Sequence, residues 1–124
     1  EEVDKKMSKG KLKITAADTL LPNVRAAEVN SKLAEINKQI DFTKIDFDWL
    51  DIKFKKETID IIITNLTDKS DKLFERAEDI LAKDGKILIL TQVPKQINPG
   101  KFKLKSKREA RLNQTTYSLI TYER

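Results

Sequence analysis

Cysteine and histidine are both absent from the 124 residues of this sequence. Without cysteine the chain can form neither disulfides nor thiolate metal sites, and without histidine it lacks the commonest general base and metal ligand. We therefore expect no metal site. Carboxylates, amides, hydroxyls, lysine and arginine remain for chemistry, which favours a reaction whose reactive group is supplied by a cofactor.

Long apolar runs and linker sequence are also scarce. No run approaches the roughly 20 apolar residues that cross a bilayer, and residues 1–10 are charged rather than typical of a signal peptide. With three glycines and three prolines, the chain is expected to form one soluble, cytoplasmic domain that contacts no membrane. The charged fraction of 36 %, rich in lysine, is typical of thermophile proteins. No feature predicts an oligomeric state.

Short apolar runs bounded by polar residues predict strands at residues 11–17, 40–45, 59–65 and 86–91. The segment 59–65 is apolar along most of its length, which is typical of a central parallel strand covered on both faces. Two later segments, 102–112 and 116–123, are joined at Asn113 and Gln114 and predict an antiparallel hairpin.

Spacings of three and four predict helices at residues 22–36 and 70–82, with a polar connection at 47–56. Each helix has one face of small or apolar residues: Val24, Ala27, Ser31 and Ala34 in the first, and Leu73, Phe74, Ala77, Ile80 and Leu81 in the second. Asp18 or Thr19 can cap the first helix, with Pro22 in its first turn. Ser70 is the expected N-cap of the second helix, and Gly85 its stop.

The order of these elements predicts an α/β fold. Strands and helices alternate before a terminal hairpin, so we expect a mostly parallel, Rossmann-like sheet with helices on both faces and an antiparallel hairpin at its C-terminal edge.

Positive charge is concentrated near the C-terminus. The net charge is +5, and residues 95–124 hold eight basic residues against two acidic ones. Phosphates attract such a segment regardless of base sequence, so we consider as nucleic-acid contacts Lys101, Lys103, Lys105, Lys107, Arg108 and Arg111. Lysines also protect an edge strand from aggregation, and the pattern alone does not separate these two roles.

Three stretches carry polar residues at strand ends. The first has an acidic residue and then small residues and an asparagine at fixed offsets: Asp18, Ala26, Ala27, Asn30 and Ala34. The second has Ile40, Phe42 and Asp46, and the third ends a hydrophobic strand with Thr64, Asn65, Leu66, Thr67 and Asp68. Over residues 11–124 this order resembles the C-terminal part of class I S-adenosylmethionine-dependent methyltransferases. The Asn-Leu pair most resembles the relatives that carry an RNA-binding THUMP domain, a group of transfer-RNA guanine-N2 and N6-adenine-specific methylases.

The resemblance implies S-adenosylmethionine as cofactor and RNA, above all transfer RNA, as substrate. Asp18 would accept hydrogen bonds from the ribose hydroxyls, and Asp46 with Phe47 would lie against the adenine. Asn65 would be the catalytic residue, its amide orienting an exocyclic base amine toward the methyl group. Each residue also has an ordinary structural explanation: a helix cap for Asp18, a loop carboxylate and a core aromatic for Asp46 and Phe47, and a turn asparagine for Asn65.

The same resemblance implies a first strand and a glycine-rich loop before residue 11, where only residues 1–10 stand. We therefore expect residues 1–124 to be a partial methyltransferase domain, with 1–10 the remnant of a preceding helix or a flexible start. A degenerate, non-catalytic module that binds RNA or a protein partner is the alternative.

Overall fold

The computed structural model describes residues 13–66 and 71–124. Contacts along the chain define two units, one ending at Asp46 and the other beginning at Phe47. Both units combine helices with strands, so the predicted α/β class is confirmed.

The first unit is a strand–helix–strand arrangement. Strand β1 (Ile14–Asp18) pairs in parallel with β2 (Ile40–Lys44), and helix α1 (Leu21–Leu33) connects them. Val24 and Ser31 are buried on the helix face that the spacing predicted. Pro22 lies in the first turn, as expected, but Leu20 is the N-cap and no side chain caps the helix. The prediction that Asp18 or Thr19 caps α1 is therefore wrong.

Helix α1 ends three residues before the predicted position 36, and local hydrogen bonds explain why. The Glu35 amide donates to the Lys32 carbonyl oxygen at 3.1 Å, and the Ile36 amide donates to the Ser31 carbonyl oxygen at 2.9 Å. Glu35 has a φ of 62°, so a left-handed residue closes the helix in a Schellman motif. Because glutamate replaces the usual glycine at this position, the helix end was not visible in the sequence.

The second unit is built on a four-stranded mixed sheet of order β3-β4-β6-β5. Its strands are β3 (Ile59–Leu66), β4 (Leu81–Thr91), β5 (Lys103–Leu112) and β6 (Thr115–Glu123). Strands β3 and β4 are parallel, whereas β6 runs antiparallel to both β4 and β5. The predicted C-terminal hairpin is therefore confirmed, with Asn113 at a φ of 58° in its turn.

Helix α3 (Asp71–Ile80) packs on one face of this sheet and builds the core. All five residues of its predicted apolar face are buried. Four of them, Leu73, Phe74, Ala77 and Leu81, pack with residues of β4 and β6 and with a loop aromatic: Ile87, Ile89, Ile120, Tyr122 and Phe102. The Phe74 ring meets the Tyr122 ring edge-on, with centroids 5.4 Å apart.

The segment 47–56, predicted as a polar connection, contains a 3₁₀ turn (Phe47–Trp49) and the short helix α2 (Leu50–Lys53). Ion pairs join it to α3: Lys72 Nζ lies 3.0 Å from Asp48 Oδ2, and Arg76 lies 3.9 Å from both Asp48 and Asp51. These ion pairs therefore hold the 3₁₀ turn and α2 against α3.

Gly85 does not end a helix. Helix α3 stops at Ile80, β4 begins at Leu81, and Gly85 lies within that strand at a register shift against β3. A Cβ atom at Gly85 would stand 2.5 Å from Leu81 Cγ and 2.9 Å from the Ala82 carbonyl oxygen. The glycine is thus required by a close approach of the chain to itself. The predicted cap at Ser70 lies outside the described residues.

Strand β3 pairs in parallel with β4, as expected, but it is the first strand of its sheet rather than a central one. Its Ile61 and Ile63 side chains are 57 % and 76 % exposed. The expectation that residues 59–65 are covered on both faces is therefore wrong. Helix α3 covers one face only, and Ile61 and Ile63 lie on the other.

Candidate functional site

Asp18 is the last residue of β1, and its carboxylate is held by the chain that follows. Asp18 Oδ1 accepts a hydrogen bond from the Leu20 amide at 2.8 Å. Asn23 Nδ2 lies 3.3 Å from both carboxylate oxygens. A carboxylate has about four acceptor positions, so these three contacts orient Asp18 and leave room for one more donor.

Asp46 lies at the same edge of the first unit as Asp18. Strands β1 and β2 are parallel with Asp18 opposite Lys44, and the Ile45 amide donates to the Asp18 carbonyl oxygen at 3.0 Å. Asp46 follows Ile45 and is exposed. The structure therefore brings the two predicted cofactor-binding carboxylates to the carboxyl ends of neighbouring parallel strands, where open α/β sheets bind ligands.

The third predicted cofactor contact, Phe47, begins the 3₁₀ turn Phe47–Trp49. Its side chain lies outside the described part of the structure, so the proposed contact with adenine stays a prediction.

Asn65 lies near the C-terminal end of β3, in the second unit, and its side chain is exposed. It stands opposite Leu90 of β4, on the face that α3 does not cover. Thr67 and Asp68, which continue the strand-end motif, lie outside the described residues. Asn65 therefore offers an accessible amide at a strand end, as the sequence predicted.

The six predicted nucleic-acid contacts are all exposed. Lys101 lies in the turn before β5, and the others lie on β5, where every residue is exposed: Lys103, Lys105, Lys107, Arg108 and Arg111. Lys105 is already engaged, since its Nζ lies 3.3 Å from Glu123 Oε2. Strand β5 is at the edge of the sheet, so both phosphate contact and edge protection fit its position.

Two polar contacts near strand ends were not foreseen. Asn23 holds the Asp18 carboxylate, and its place in the first turn of α1 is the sequence signal that could have indicated it. Gln92 Nε2 donates to Tyr117 Oη at 3.0 Å and links the end of β4 to the start of β6. That contact joins residues 25 positions apart and depends on strand register, which the sequence does not display.

In the described ranges, 13–66 and 71–124, no group of three or more acidic side chains is arranged to hold a metal ion. Within the same ranges, no helix has the length and apolar character needed to cross a membrane.

Several solved structures with the same fold are methyltransferases. TrmN from Thermus thermophilus is 19 % identical, with a TM-score of 0.72 over 89 % of this chain and 36 % of its own. Geranyl diphosphate C-methyltransferase from Streptomyces coelicolor A3(2), solved with S-adenosylhomocysteine, is 10 % identical, with a TM-score of 0.69 over 98 % of this chain and 68 % of its own. An uncharacterised protein from Listeria monocytogenes serotype 4b is 15 % identical, with a TM-score of 0.64 over 88 % of this chain and half of its own.

At these identities the likeness shows the fold alone, which is the Rossmann-like fold of S-adenosylmethionine-dependent methyltransferases. The chain spans 36 % of TrmN and 50 % of the Listeria protein. No protein-family model matches the sequence, and no curated protein does.

Proposed function

We propose that this chain is the C-terminal part of an S-adenosylmethionine-dependent methyltransferase domain that modifies an exocyclic amine of an RNA base, with transfer RNA as the expected substrate. The observation that carries the proposal is Asn65, an exposed amide at the C-terminal end of a parallel strand in a methyltransferase fold. No histidine exists in the chain, so a mechanism that needs no strong base fits its composition.

Asp18 and Asp46 are the residues we assign to the cofactor. They fit this role because both carboxylates lie at the same edge of β1 and β2, and Asp18 is pre-oriented by the Leu20 amide and by Asn23. A fixed carboxylate with one free acceptor position suits a ribose hydroxyl. We also assign Phe47 to the cofactor, with its side chain beside the adenine.

Asn65 acts by orientation. When bound, S-adenosylmethionine supplies a methyl group on a positively charged sulfur. The Asn65 side-chain oxygen accepts a hydrogen bond from the target NH₂ and so aims the nitrogen lone pair at that methyl. The cofactor would supply that methyl to the amine nitrogen and leave as a neutral thioether, and the proton that the nitrogen loses would pass to solvent. The amide thus contributes by alignment of the reacting atoms.

The basic segment supports RNA as the substrate. Exposed lysines and arginines follow β5 along its whole length. Such a strand can neutralise the phosphates of a nucleic acid, which then releases its condensed counterions.

The test uses the full-length protein and begins with calorimetric titration of S-adenosylmethionine, followed by transfer of labelled methyl to transfer RNA. Asn65→Ala should leave cofactor affinity unchanged and lower turnover on the order of a hundredfold. Asp60→Ala is the matched control, because Asp60 is an exposed polar residue at the other end of the same strand. Normal methyl transfer by Asn65→Ala contradicts the catalytic assignment. A protein that binds RNA but not the cofactor would instead be a non-catalytic module.

A further inference from the structure

A row of four paired residues crosses the sheet of the second unit from Asn65 to Arg108. Asn65 is opposite Leu90, Leu90 is opposite Leu119, and Leu119 is opposite Arg108. Residues paired across strands point to the same face, so all four side chains share the face that α3 leaves uncovered. Their two ends are about 14 Å apart, which is three spacings between strands.

The row is accessible along its length. Asn65 and Arg108 are exposed, Leu90 is half-buried, and Leu119 is 39 % exposed. It therefore presents an amide, a short apolar surface and a guanidinium in that order. Apolar side chains can support the flat face of an unstacked base, and a guanidinium binds phosphate through two parallel hydrogen bonds.

Arg108 is distinguished from the other basic residues of β5 by its position. Lys107, its chain neighbour, is opposite Ile120, and Arg111 is opposite Thr116, so both point to the face on which α3 packs. Lys103 is opposite Glu123, which lies on β6 about 13 Å from Leu119, the partner of Arg108. Lys105 is paired with Glu123. Within residues 13–66 and 71–124, Arg108 takes part in no ion pair.

We propose that Arg108 binds a phosphate of the RNA strand and so places the target base over Leu90 and Leu119, with its amine at Asn65. This assignment rests on the proposed function. It separates Arg108, which binds the reacting nucleotide, from the other basic residues of β5, which attract RNA without contacting that nucleotide. Lys107 and Arg111 act only through their charge.

The test compares Arg108 with Lys83, an exposed lysine of β4 that belongs to none of the proposed contacts. In the full-length protein, Arg108→Gln and Lys83→Gln each remove one positive charge. Both variants should keep the parent melting temperature, since both residues are exposed.

Steady-state methyl transfer to transfer RNA distinguishes the two variants. We expect Arg108→Gln to raise the KM for RNA about tenfold to a hundredfold while the Kd for S-adenosylmethionine is unchanged. Lys83→Gln should change KM by less than about twofold, as is typical of an exposed charge. Arg108→Lys should recover part of the loss, because it restores charge without the planar fork. Equal KM values for the two glutamine variants would overturn the assignment.

Binding without chemistry separates this inference from the proposed function. Fluorescence anisotropy of labelled transfer RNA, with no methyl donor present, should show a salt slope that falls by about 0.7 to 0.9 in Arg108→Gln. If that slope falls in Arg108→Gln but not in Lys83→Gln, while Asn65→Ala still transfers methyl normally, the catalytic role of Asn65 fails and the Arg108 contact stands. If Asn65→Ala is inactive and the two glutamine variants bind alike, the Arg108 contact alone fails.

Discussion

The Arg124 guanidinium lies 2.6 Å from the Leu81 carbonyl oxygen, at the point where α3 passes directly into β4. The same nitrogen donates to the Glu78 carbonyl oxygen at 2.7 Å, and the guanidinium stands 5.5 Å from the centre of the Phe102 ring. The last carbonyl groups of a helix have no partner within the helix and favour positive charge. A residue 43 positions away in the chain therefore closes α3.

Replacing Arg124 with alanine should lower the free energy of unfolding by about 1 to 2 kcal/mol, because at least two carbonyl groups lose their donor. Urea denaturation of the full-length protein measures this loss. Arg111→Ala, on exposed β5, should stay within about 0.5 kcal/mol of the parent. An Arg124→Ala protein as stable as Arg111→Ala would show that the contacts contribute nothing.

Gly85 and Gly100 separate a steric requirement from a conformational one. Gly85→Ala places a methyl group against the fully buried Leu81 side chain and the Ala82 carbonyl oxygen, and should cost about 1 to 3 kcal/mol. At Gly100 the nearest atom to a new Cβ is 3.8 Å away, and the cost of Gly100→Ala comes from its φ of 60°, about 1 to 2 kcal/mol.

Thermal unfolding of the two variants checks this distinction. Substituting asparagine, which tolerates positive φ, should recover stability at Gly100 and lower it further at Gly85. Recovery by Gly85→Asn would show that space is not the constraint there.

The contrast between local and distant interactions explains which features the sequence predicted. The hairpin and the buried face of α3 follow from alternation or spacing between near neighbours, and both were found. The end of α3 depends on Arg124, and the role of Gly85 depends on a close approach within β4. Asp18 and Asn65 were predicted to lie at the C-terminal ends of β1 and β3. The row that links Asn65 to Arg108 depends on strand register, which no local sequence pattern contains.

Tyr122 should make the protein sensitive to alkali. Burial raises the pKa of Tyr122 above its ordinary value, because the phenolate would lose its hydration in the core. The folded state thus binds the phenol proton more tightly than the unfolded state. Its contribution to stability is complete below a pH of about 10, the ordinary tyrosine pKa, and is lost as the pH rises through the higher pKa of the folded state.

Tyr122→Phe should therefore flatten the decline of unfolding free energy above a pH of about 10, as followed by denaturant titration at several alkaline pH values. Tyr117→Phe serves as the control, because that phenol is hydrogen-bonded to Gln92 outside the core. Identical alkaline profiles for the parent and Tyr122→Phe would rule out titration of this group as the cause.

The carboxylate of Asp18 should govern cofactor affinity. Asp18→Ala is expected to weaken S-adenosylmethionine binding on the order of 1.5 to 3 kcal/mol through a lost charge-assisted hydrogen bond, measured by calorimetry on the full-length protein. Asp18→Asn keeps an acceptor for the Leu20 amide but removes the charge, so it should retain stability and lose affinity. Asn23→Ala removes a partner of the carboxylate and should have a smaller effect. If Asp18→Ala binds S-adenosylmethionine as tightly as the parent, Asp18 serves only the local turn and its assignment to the cofactor fails.

The two edge strands of the four-stranded sheet expose different kinds of side chain to solvent. This difference should affect how the chain associates in solution. Strand β5 carries lysines and arginines along its length, whereas β3 presents Ile61 and Ile63 to water on its uncovered face. At low ionic strength, the net charge of +5 keeps molecules apart. Added salt screens that repulsion over roughly 10 Å at 0.1 M without weakening apolar attraction, so concentrated solutions of the chain should associate through β3 as salt rises.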